Sequence, residues 1–336
     1  MNITDDIDQI NFMRIKTFTI NFHKYAILFV YIISNLGNIL SYLVYCQRSW
    51  RKNVCIFYFK IFLLVNTCYL NSYTIRNIIS MGFEIYFLET NKILCKLYSY
   101  LCYFLQSMTP SILILATIDR LLISSRDVNT RLYSSKRLAY FSISITAIIW
   151  LIVHIHALIE LDIIEIDPSF FLCTIDLSKS YFQIVTYCFV TLYIIACILM
   201  IVLCILSFKN VRHIHVLRSK QRNHELRLMT KKDFQLLRCL FAQDIIYITF
   251  AAIVMIHSLF QVIKNDHIYS TMERIQSILL NQCVTSFFNI YYSAHFLIFF
   301  SISKGFRHEF KRMICKVVRK NIPLLQEDLP IITNVK

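Results

Sequence analysis

The chain has 336 residues, of which 57% are hydrophobic and only 16% are charged. Soluble domains are usually about 45–50% apolar, and a soluble helical bundle would need polar helix faces that several apolar runs here lack. The formal net charge of +15 requires no nucleic-acid partner, because the cytoplasmic loops of membrane proteins are enriched in Lys and Arg. The composition therefore predicts an integral membrane protein that does not bind nucleic acid.

Seven apolar runs are separated by short charged islands, and each is long enough for a helix that crosses the bilayer, which takes about 20 residues. The sequence contains only 3 glycines and 4 prolines, so few positions would break these helices. The second run is the most polar, with Lys60, Asn66 and Asn71, and the sixth contains Asp244. The predicted spans are residues 25–45, 56–79, 97–118, 138–159, 181–208, 234–263 and 275–302.

The basic residues are divided unevenly between the two sides of these spans. If the N-terminus lies outside, the inside segments hold 24 of the 35 Lys and Arg residues and the outside segments hold eight. Because cytoplasmic loops are enriched in Lys and Arg, this distribution predicts an outside N-terminus and an inside C-terminus. A glycosylation sequon at Asn2 agrees with that orientation, although such short motifs also arise by chance.

Twelve acidic residues fall on the predicted outer side. A negative outer mouth would raise the local concentration of a cationic ligand. Ordinary solvated loops are the alternative. These residues are Asp5, Asp6, Asp8, Glu84, Glu89, Glu160, Asp162, Glu165, Asp167, Asp176, Asp266 and Glu273.

The third span has informative residues at both of its ends. Cys95 lies at the outer end, and Arg120 of the pair Asp119-Arg120 follows 25 positions later, a rise that crosses the membrane once at about 1.5 Å per residue. Cys173 lies in the outer loop between the fourth and fifth spans. Cys95 and Cys173 therefore share the oxidising side, where a disulfide can persist. Two free thiols are the alternative.

With these residues in place, the sequence resembles the rhodopsin-like G-protein-coupled receptors over about residues 25–315. The run from Ala116 to Arg120 resembles the motif that ends the third helix of that family. Gly37-Asn38 resembles its first-helix Gly-Asn pair, and Trp150 resembles its fourth-helix tryptophan. Each motif is weak alone, and their order, spacing and side of the membrane carry the resemblance. It is nearest to diverged invertebrate orphan receptors close to the peptide-receptor branch.

The resemblance implies a two-state switch at the inner end of the third helix. A buried arginine is costly unless it is paired, and Asp119 and Asp233 are expected to hold Arg120 at rest. Ligand binding would move the sixth helix and release Arg120 for a heterotrimeric G protein. A solvated Asp233 beside Lys231 and Lys232 is the alternative.

The segment after the seventh span predicts a short amphipathic helix on the inner leaflet. Phe306-Arg307 followed by Glu309-Phe310 resembles the start of the corresponding helix in the family. Cys315 is a candidate palmitoylation site, and an unmodified thiol is the alternative. The inner loop before the sixth span has a basic surface that could bind anionic lipid, a partner protein or both. Its residues include Arg212, Arg218, Lys220, Arg222 and Arg227.

Several positions depart from the family pattern. Asn66 stands where the family has an Asp that helps to bind sodium, so a sodium site is not expected. His295 to Phe299 replaces the seventh-helix Asn-Pro-x-x-Tyr. The fifth and sixth spans have no proline, and Pro110 is expected to interrupt the third. The switch must therefore use different kinks and hydrogen bonds, or the receptor couples weakly or not at all.

Two ligand classes are disfavoured by comparison with the family. Aminergic receptors carry an Asp seven residues after the third-helix cysteine, where this sequence has Cys102. Opsins need a seventh-helix Lys, which residues 275–302 lack, and Asn289 lies near the expected place. A peptide is preferred, because the outer loop between the fourth and fifth spans is long enough to form a lid.

Two other functional classes were weighed. A transporter or channel could use Asp244, since an acidic residue inside a span often marks function, but we find neither a companion group nor an internal repeat. An intramembrane enzyme is not predicted, because HExxH, GxSxG and paired intramembrane Asp residues are lacking. No CxxC pair occurs and His213-x-His215 lacks further ligands, so no metal or other cofactor is predicted.

The sequence therefore predicts an all-α, seven-transmembrane helix bundle with a short amphipathic cytoplasmic helix, located in the plasma membrane. Residues 1–24 form an extracellular segment, residues 25–303 the seven-helix domain, and residues 304–336 the cytoplasmic helix and tail. The expected function is a receptor that binds an extracellular ligand, with a cationic peptide as the candidate, and activates a heterotrimeric G protein. A transporter, a channel and a non-coupling decoy receptor are the alternatives. The expected bundle core includes Asn38, Asn66, Trp150, His295 and Phe299.

Overall fold

The computed structural model describes residues 3–51, 53–86, 91–125, 127–167, 170–175, 180–220, 231–264 and 271–321. These residues are almost entirely helical, and seven of their helices are long and apolar enough to cross a membrane. The chain is therefore a candidate multi-pass membrane protein, as its composition predicts.

Eight long helices follow one another along the described chain, and two of them contain π-helical segments. They are α1 (Ile3–Asn21, π-helical Phe22–Ile27, Leu28–Tyr45), α2 (Val54–Tyr69, π-helical Leu70–Thr74, Ile75–Asn77, π-helical Ile78–Gly82), α3 (Lys92–Ile123), α4 (Lys136–Val153, Ile155–Glu160), α5 (Ser180–Lys220), α6 (Lys231–Lys264), α7 (Thr271–Phe287, Asn289–Ile302) and α8 (Lys304–Asn321). A short helix, Val128–Leu132, connects α3 to α4.

The predicted spans agree with α1 to α7, and every predicted boundary lies within five residues of the observed one except the start of α1 and the end of α5, which continues to Lys220. The first helix begins at Ile3 and not near residue 25. No glycine or proline before Gly37 ends the helix. His23 is fully buried, and its Nε2 lies 2.8 Å from Ser286 Oγ on α7. The residues assigned to a separate N-terminal segment thus continue the first helix.

The π-helical segments of α1 and α2 contain no proline. Those of α1 and α2 meet, since a methyl group at Gly82 would lie 3.0 Å from Lys24 N. Pro110 lies inside α3, and the helix continues through it to Ile123. The predicted interruption is therefore absent. Neighbouring helices and the back-bonding hydroxyls of Thr109 and Ser111 hold the turn around this proline.

The central helix of the bundle is α3, which contacts α2, α4, α5 and α6. By contrast, α4 and α5 lie at the periphery and expose apolar side chains, for example Ile152 and Ile198. An exposed apolar surface of this extent is typical of a site that contacts a membrane or another protein. It is the arrangement expected of helices that face lipid.

An antiparallel hairpin connects α4 to α5, where the sequence predicted only a long loop. Its strands are β1 (Leu161–Asp167) and β2 (Phe170–Ile175), and Leu161 lies opposite Ile175. Leu161 is buried against the bundle. The hairpin thus covers one end of the bundle beside α3.

The last helix, α8, leaves the bundle at Ser303, whose backbone is extended. Ser303 Oγ accepts a hydrogen bond from Phe306 N, and Arg307 donates to the last carbonyl groups of α7. Phe306 is fully buried. These contacts satisfy backbone groups that a helix end leaves open.

Candidate functional site

A disulfide joins Cys95 at the start of α3 to Cys173 in β2, with the two Cα atoms 5.8 Å apart. Cys173 lies opposite Ile163 in the hairpin, so the bond anchors the hairpin to α3. The structure confirms the predicted disulfide over the alternative of two free thiols. We call this end of the molecule the disulfide end.

Two lysines of α3 also contact the segment around the hairpin. Lys92 Nζ lies 2.7 Å from Asp162 Oδ2, and Lys96 Nζ donates to the carbonyl of Ile159 at 2.9 Å. The hydrogen bond from Lys92, followed by that from the Ile163 N–H, holds the pKa of Asp162 below its usual value. Asp162 is therefore a carboxylate at neutral pH, already paired with a cation.

A cavity of about 290 Å³ opens next to the hairpin, at the disulfide end. Side chains from α2 to α7 and Cys173 form its wall. Such a concave, largely apolar site with a few polar groups is the usual form of a small-ligand site. Its aromatic lining consists of Tyr69, Tyr73, Tyr103, Phe189, Tyr193 and Phe288, together with the rings of His154 and His156.

Arg76 is the one charged side chain among the described residues that line this cavity, and it is buried. Its guanidinium carbon lies 5.9 Å from the centre of the Tyr98 ring. Among the described residues, His154 Nδ1, His156 Nδ1 and Gln282 Oε1 are buried without a hydrogen-bond partner. The described lining residues of the cavity therefore include one cation, three buried polar atoms without a hydrogen-bond partner, and no carboxylate.

Four of the five residues predicted for the bundle core are buried. Asn38 donates to Thr67 Oγ1 on α2, and Asn66 accepts from Thr109 Oγ1 on α3, both at 3.4 Å. Trp150 is only half-buried, and its indole N–H donates to a serine of α3 at 2.8 Å. These contacts join α1 to α2, α2 to α3 and α4 to α3.

Asp244 of α6 is buried between α3 and α5. Its Oδ2 lies 3.4 Å from Thr117 Oγ1 and 3.2 Å from Cys204 Sγ, and its Oδ1 has no partner among the described residues. Asp244 is not among the residues that line the cavity. Its position joins three helices, and it does not continue the cavity.

An aromatic cluster occupies the place of the missing seventh-helix motif. His295 and Phe299 are fully buried, and Tyr45 Oη lies 3.0 Å from His295 Nε2. The Tyr45 ring also packs against Phe299 and Phe306, at centroid distances of 5.5 and 5.8 Å. A hydrogen bond and ring packing thus join α1, α7 and α8 here.

Arg120 lies at the other end of α3, fully buried between two carboxylates. Its Nη2 is 2.6 Å from Asp119 Oδ2, and its Nη1 is 3.0 Å from Asp233 Oδ1 at the start of α6. The structure therefore brings together the three residues that the sequence grouped. Because Asp233 belongs to α6, the Arg120–Asp233 pair ties α3 to α6.

Two further residues complete this cluster, and the sequence did not predict them. Asn53 caps α2 by accepting from Cys55 N, and its Nδ2 donates to Asp233 Oδ1 at 2.7 Å. Ser134 Oγ donates to Asp119 Oδ1. We define the lock cluster as Asp119, Arg120, Asp233, Asn53 and Ser134. It joins α2, α3, α6 and the segment before α4.

The start of α6 is also held against α8. Gln235 Oε1 accepts from Ser303 Oγ at 3.2 Å and from Gly305 N at 3.1 Å. A methyl group at Gly305 would lie 3.3 Å from Trp50 Cζ2, and Lys232 Nζ lies 5.6 Å from the centre of the Trp50 ring. The described geometry is therefore one in which this end of α6 is closed onto the bundle.

Some predicted residues cannot be related to this geometry. Asn2, Arg222 and Arg227 lie outside the described residues, as does residue 322 onward. The side chains of Arg212, Arg218 and Lys220 lie outside them as well. Cys315 is exposed on α8. The described residues contain no group of three or more His, Cys, Asp and Glu residues suited to a metal ion.

Comparison with known proteins returns no matching family model and no matching curated protein.

Sequence reasoning missed Arg76, Asn53, Ser134 and Tyr45. For Arg76 a signal was present, since a charged residue near the end of an apolar span often marks function. Asn53 carried the signal of a helix N-cap, but nothing near it in sequence points to Asp233. Contacts between residues so distant in the chain leave no trace in a local pattern.

Proposed function

We propose that this chain is a rhodopsin-like G-protein-coupled receptor of the plasma membrane, with its N-terminus outside. The observation that carries the proposal is that the two ends of α3 belong to two different sites. One end is disulfide-linked to a hairpin beside a ligand-sized cavity, and the other end holds Arg120 between Asp119 and Asp233. A single helix therefore connects the proposed binding site to the ion-pair cluster that we propose as the switch.

The lock cluster supports a resting state that is released by movement of α6. Outward movement of α6 would separate Asp233 from both Arg120 and Asn53, and Gln235 from Gly305. Arg120 would then become available to a G protein on the inner side. A ligand drives this change only if it binds the open state more tightly than the closed state.

The cavity favours a ligand that carries an anionic group. The cationic-peptide proposal depends on outer acidic residues, but Asp162 is paired with Lys92 and Glu84 lies 3.3 Å from Lys16. Inside the cavity the described charge is that of Arg76 alone. We propose a peptide with an acidic side chain or a free C-terminal carboxylate near Arg76.

The experiment is G-protein sensor recruitment by the surface-expressed chain, challenged with peptide pools prepared as free acids and as amides. Basic peptides are included in both pools. We expect a response that Arg120→Ala abolishes at matched surface expression, and a stronger response to the free acids that Arg76→Gln removes. Responses unaffected by Arg120→Ala would contradict the coupling proposal, whereas equal responses to acids and amides would contradict only the ligand chemistry.

A transporter or channel remains the second candidate because of buried Asp244. Its carboxylate is enclosed by Thr117 and Cys204 and lies away from the cavity lining, which does not favour a transport path. Uptake or current that depends on Asp244 would support this candidate.

A further inference from the structure

A groove of about 560 Å³ lies on the outside of the bundle between α1, α2 and α4. Three cations line it, namely Arg51 and Lys136 at the Arg120 end and Lys60 within α2. No carboxylate is among its described lining residues. The groove is separate from both the cavity and the lock cluster.

Lys60 is unusual because it lies inside an apolar span. It is six residues beyond Val54, about 9 Å along the helix from its start. Its Nζ lies 5.9 Å from the centre of the Tyr42 ring, and the ion pairs found among the described residues do not include it. A charge at this depth is costly unless a polar or anionic group meets it.

Most of the other residues that line the groove are apolar, and several of them are exposed. Ile39 and Leu43 of α1 and Leu64 of α2 are about half exposed. Leu64 lies one turn beyond Lys60, so the charged and apolar parts follow one another along the helix. Lys136 Nζ donates to the backbone carbonyl of Arg51 at 3.1 Å, which holds the Lys136 ammonium at this end of the groove.

We infer that this groove binds an anionic glycerophospholipid. The phosphate and acidic headgroup lie among Arg51, Lys60 and Lys136, and an acyl chain lies along Ile39 and Leu64. Basic pockets between membrane helices bind such headgroups for the same electrostatic reason. A soluble anion would leave the apolar wall uncovered, so the arrangement matches an amphiphile. The inference does not depend on the receptor function.

The test is native mass spectrometry of the full chain in non-ionic detergent, titrated with phosphatidylserine or with phosphatidylcholine of the same acyl chains. We expect wild-type protein to retain phosphatidylserine more strongly. Lys60→Gln should lower that retention about fivefold, with phosphatidylcholine unchanged. Lys60→Arg should keep it, and so should Lys209→Gln, which removes an exposed charge from α5 outside the groove.

Equal retention of the two lipids by the wild type would overturn the inference, as would equal losses in Lys60→Gln and Lys209→Gln. Displacement of the lipid by millimolar glycerophosphoserine would indicate a site for a soluble anion and would also overturn it. Should Lys60→Gln lower the thermal midpoint, Lys136→Gln gives the same comparison from the edge of the groove. If neither Lys60→Gln nor Lys136→Gln lowers the retention of phosphatidylserine, the proposed lipid site is contradicted.

Discussion

At the scale of single residues, the aromatic cluster accounts for the missing seventh-helix motif. Where the family resemblance leads one to expect Asn, Pro and Tyr, this chain has a buried His295 paired with Tyr45 and a Phe299 packed against the same ring. A hydrogen bond therefore joins α1 and α7 at this position. The rings of Tyr45 and Phe299 also pack against Phe306, which anchors α8.

Tyr45→Phe tests the weight of that hydrogen bond. It should lower the free energy of unfolding by roughly 1–3 kcal/mol, because a buried His295 loses its partner while the ring packing is kept. The thermal midpoint in detergent should fall by roughly 2–8 °C. Tyr187→Phe, at an exposed position of α5, is the matched control and should change nothing. An unchanged midpoint in Tyr45→Phe would mean that packing alone holds the cluster.

The lock cluster shows what could be predicted at residue scale and what could not. Asp119 and Arg120 are adjacent, and a charged pair at the end of an apolar span is a visible signal. Asp233 was included because of the resemblance. Asn53 and Ser134 were not, because each reaches the cluster through packing between helices that no local pattern encodes.

At the scale of elements, the long apolar runs predicted seven helices well, because a helix that crosses lipid must be long and continuous. The hairpin and the π-helical segments were not predicted. β1 and β2 together span few residues between helices, and the π-helical segments of α2 contain no proline that would mark them in the sequence. The start of α1 was misplaced because the predicted span began with the apolar run near residue 25, whereas the helix already includes the more polar residues before it.

The disulfide gives a prediction about the hairpin as a unit. Cys95→Ser, Cys173→Ser and the double variant should each lower the thermal midpoint by the same several degrees, since each removes the one bond that closes this 78-residue separation. Cys188→Ser, at an exposed free cysteine, should not. Thiol counting on unfolded protein provides the check. Additive losses in the double variant would show that the two cysteines act separately.

The Lys92–Asp162 pair predicts a pH dependence confined to the hairpin. Lys92 lowers the pKa of Asp162, so the contact stabilises the hairpin above the unfolded pKa of about 4. That stabilisation is lost as pH falls through the folded value. Hydrogen exchange of β1, corrected for intrinsic rates, should therefore be faster at pH 3 than at pH 6. Asp162→Asn should remove this difference, and a difference that persists in Asp162→Asn would assign it to another group.

In the molecule as a whole, the same helices contribute to the cavity and to the lock cluster. The cavity lies at the disulfide end of α3, the lock cluster lies at the opposite end, and α6 contributes to both. The described geometry is closed, with α6 held by Arg120, Asn53 and α8. The sequence predicted this organisation in outline, whereas the contacts that hold α6 against α8 depend on side-chain packing that emerges only in the fold.

The most direct test of the central claim is basal G-protein recruitment by Asp233→Ala at surface expression matched to the wild type. We expect a rise of roughly threefold to tenfold, because the substitution removes the contacts of α6 with Arg120 and Asn53, a coupling energy of about 1 kcal/mol or more. Adding Arg120→Ala to the same chain should return the signal to background. Unchanged or lower basal recruitment in Asp233→Ala would contradict the lock.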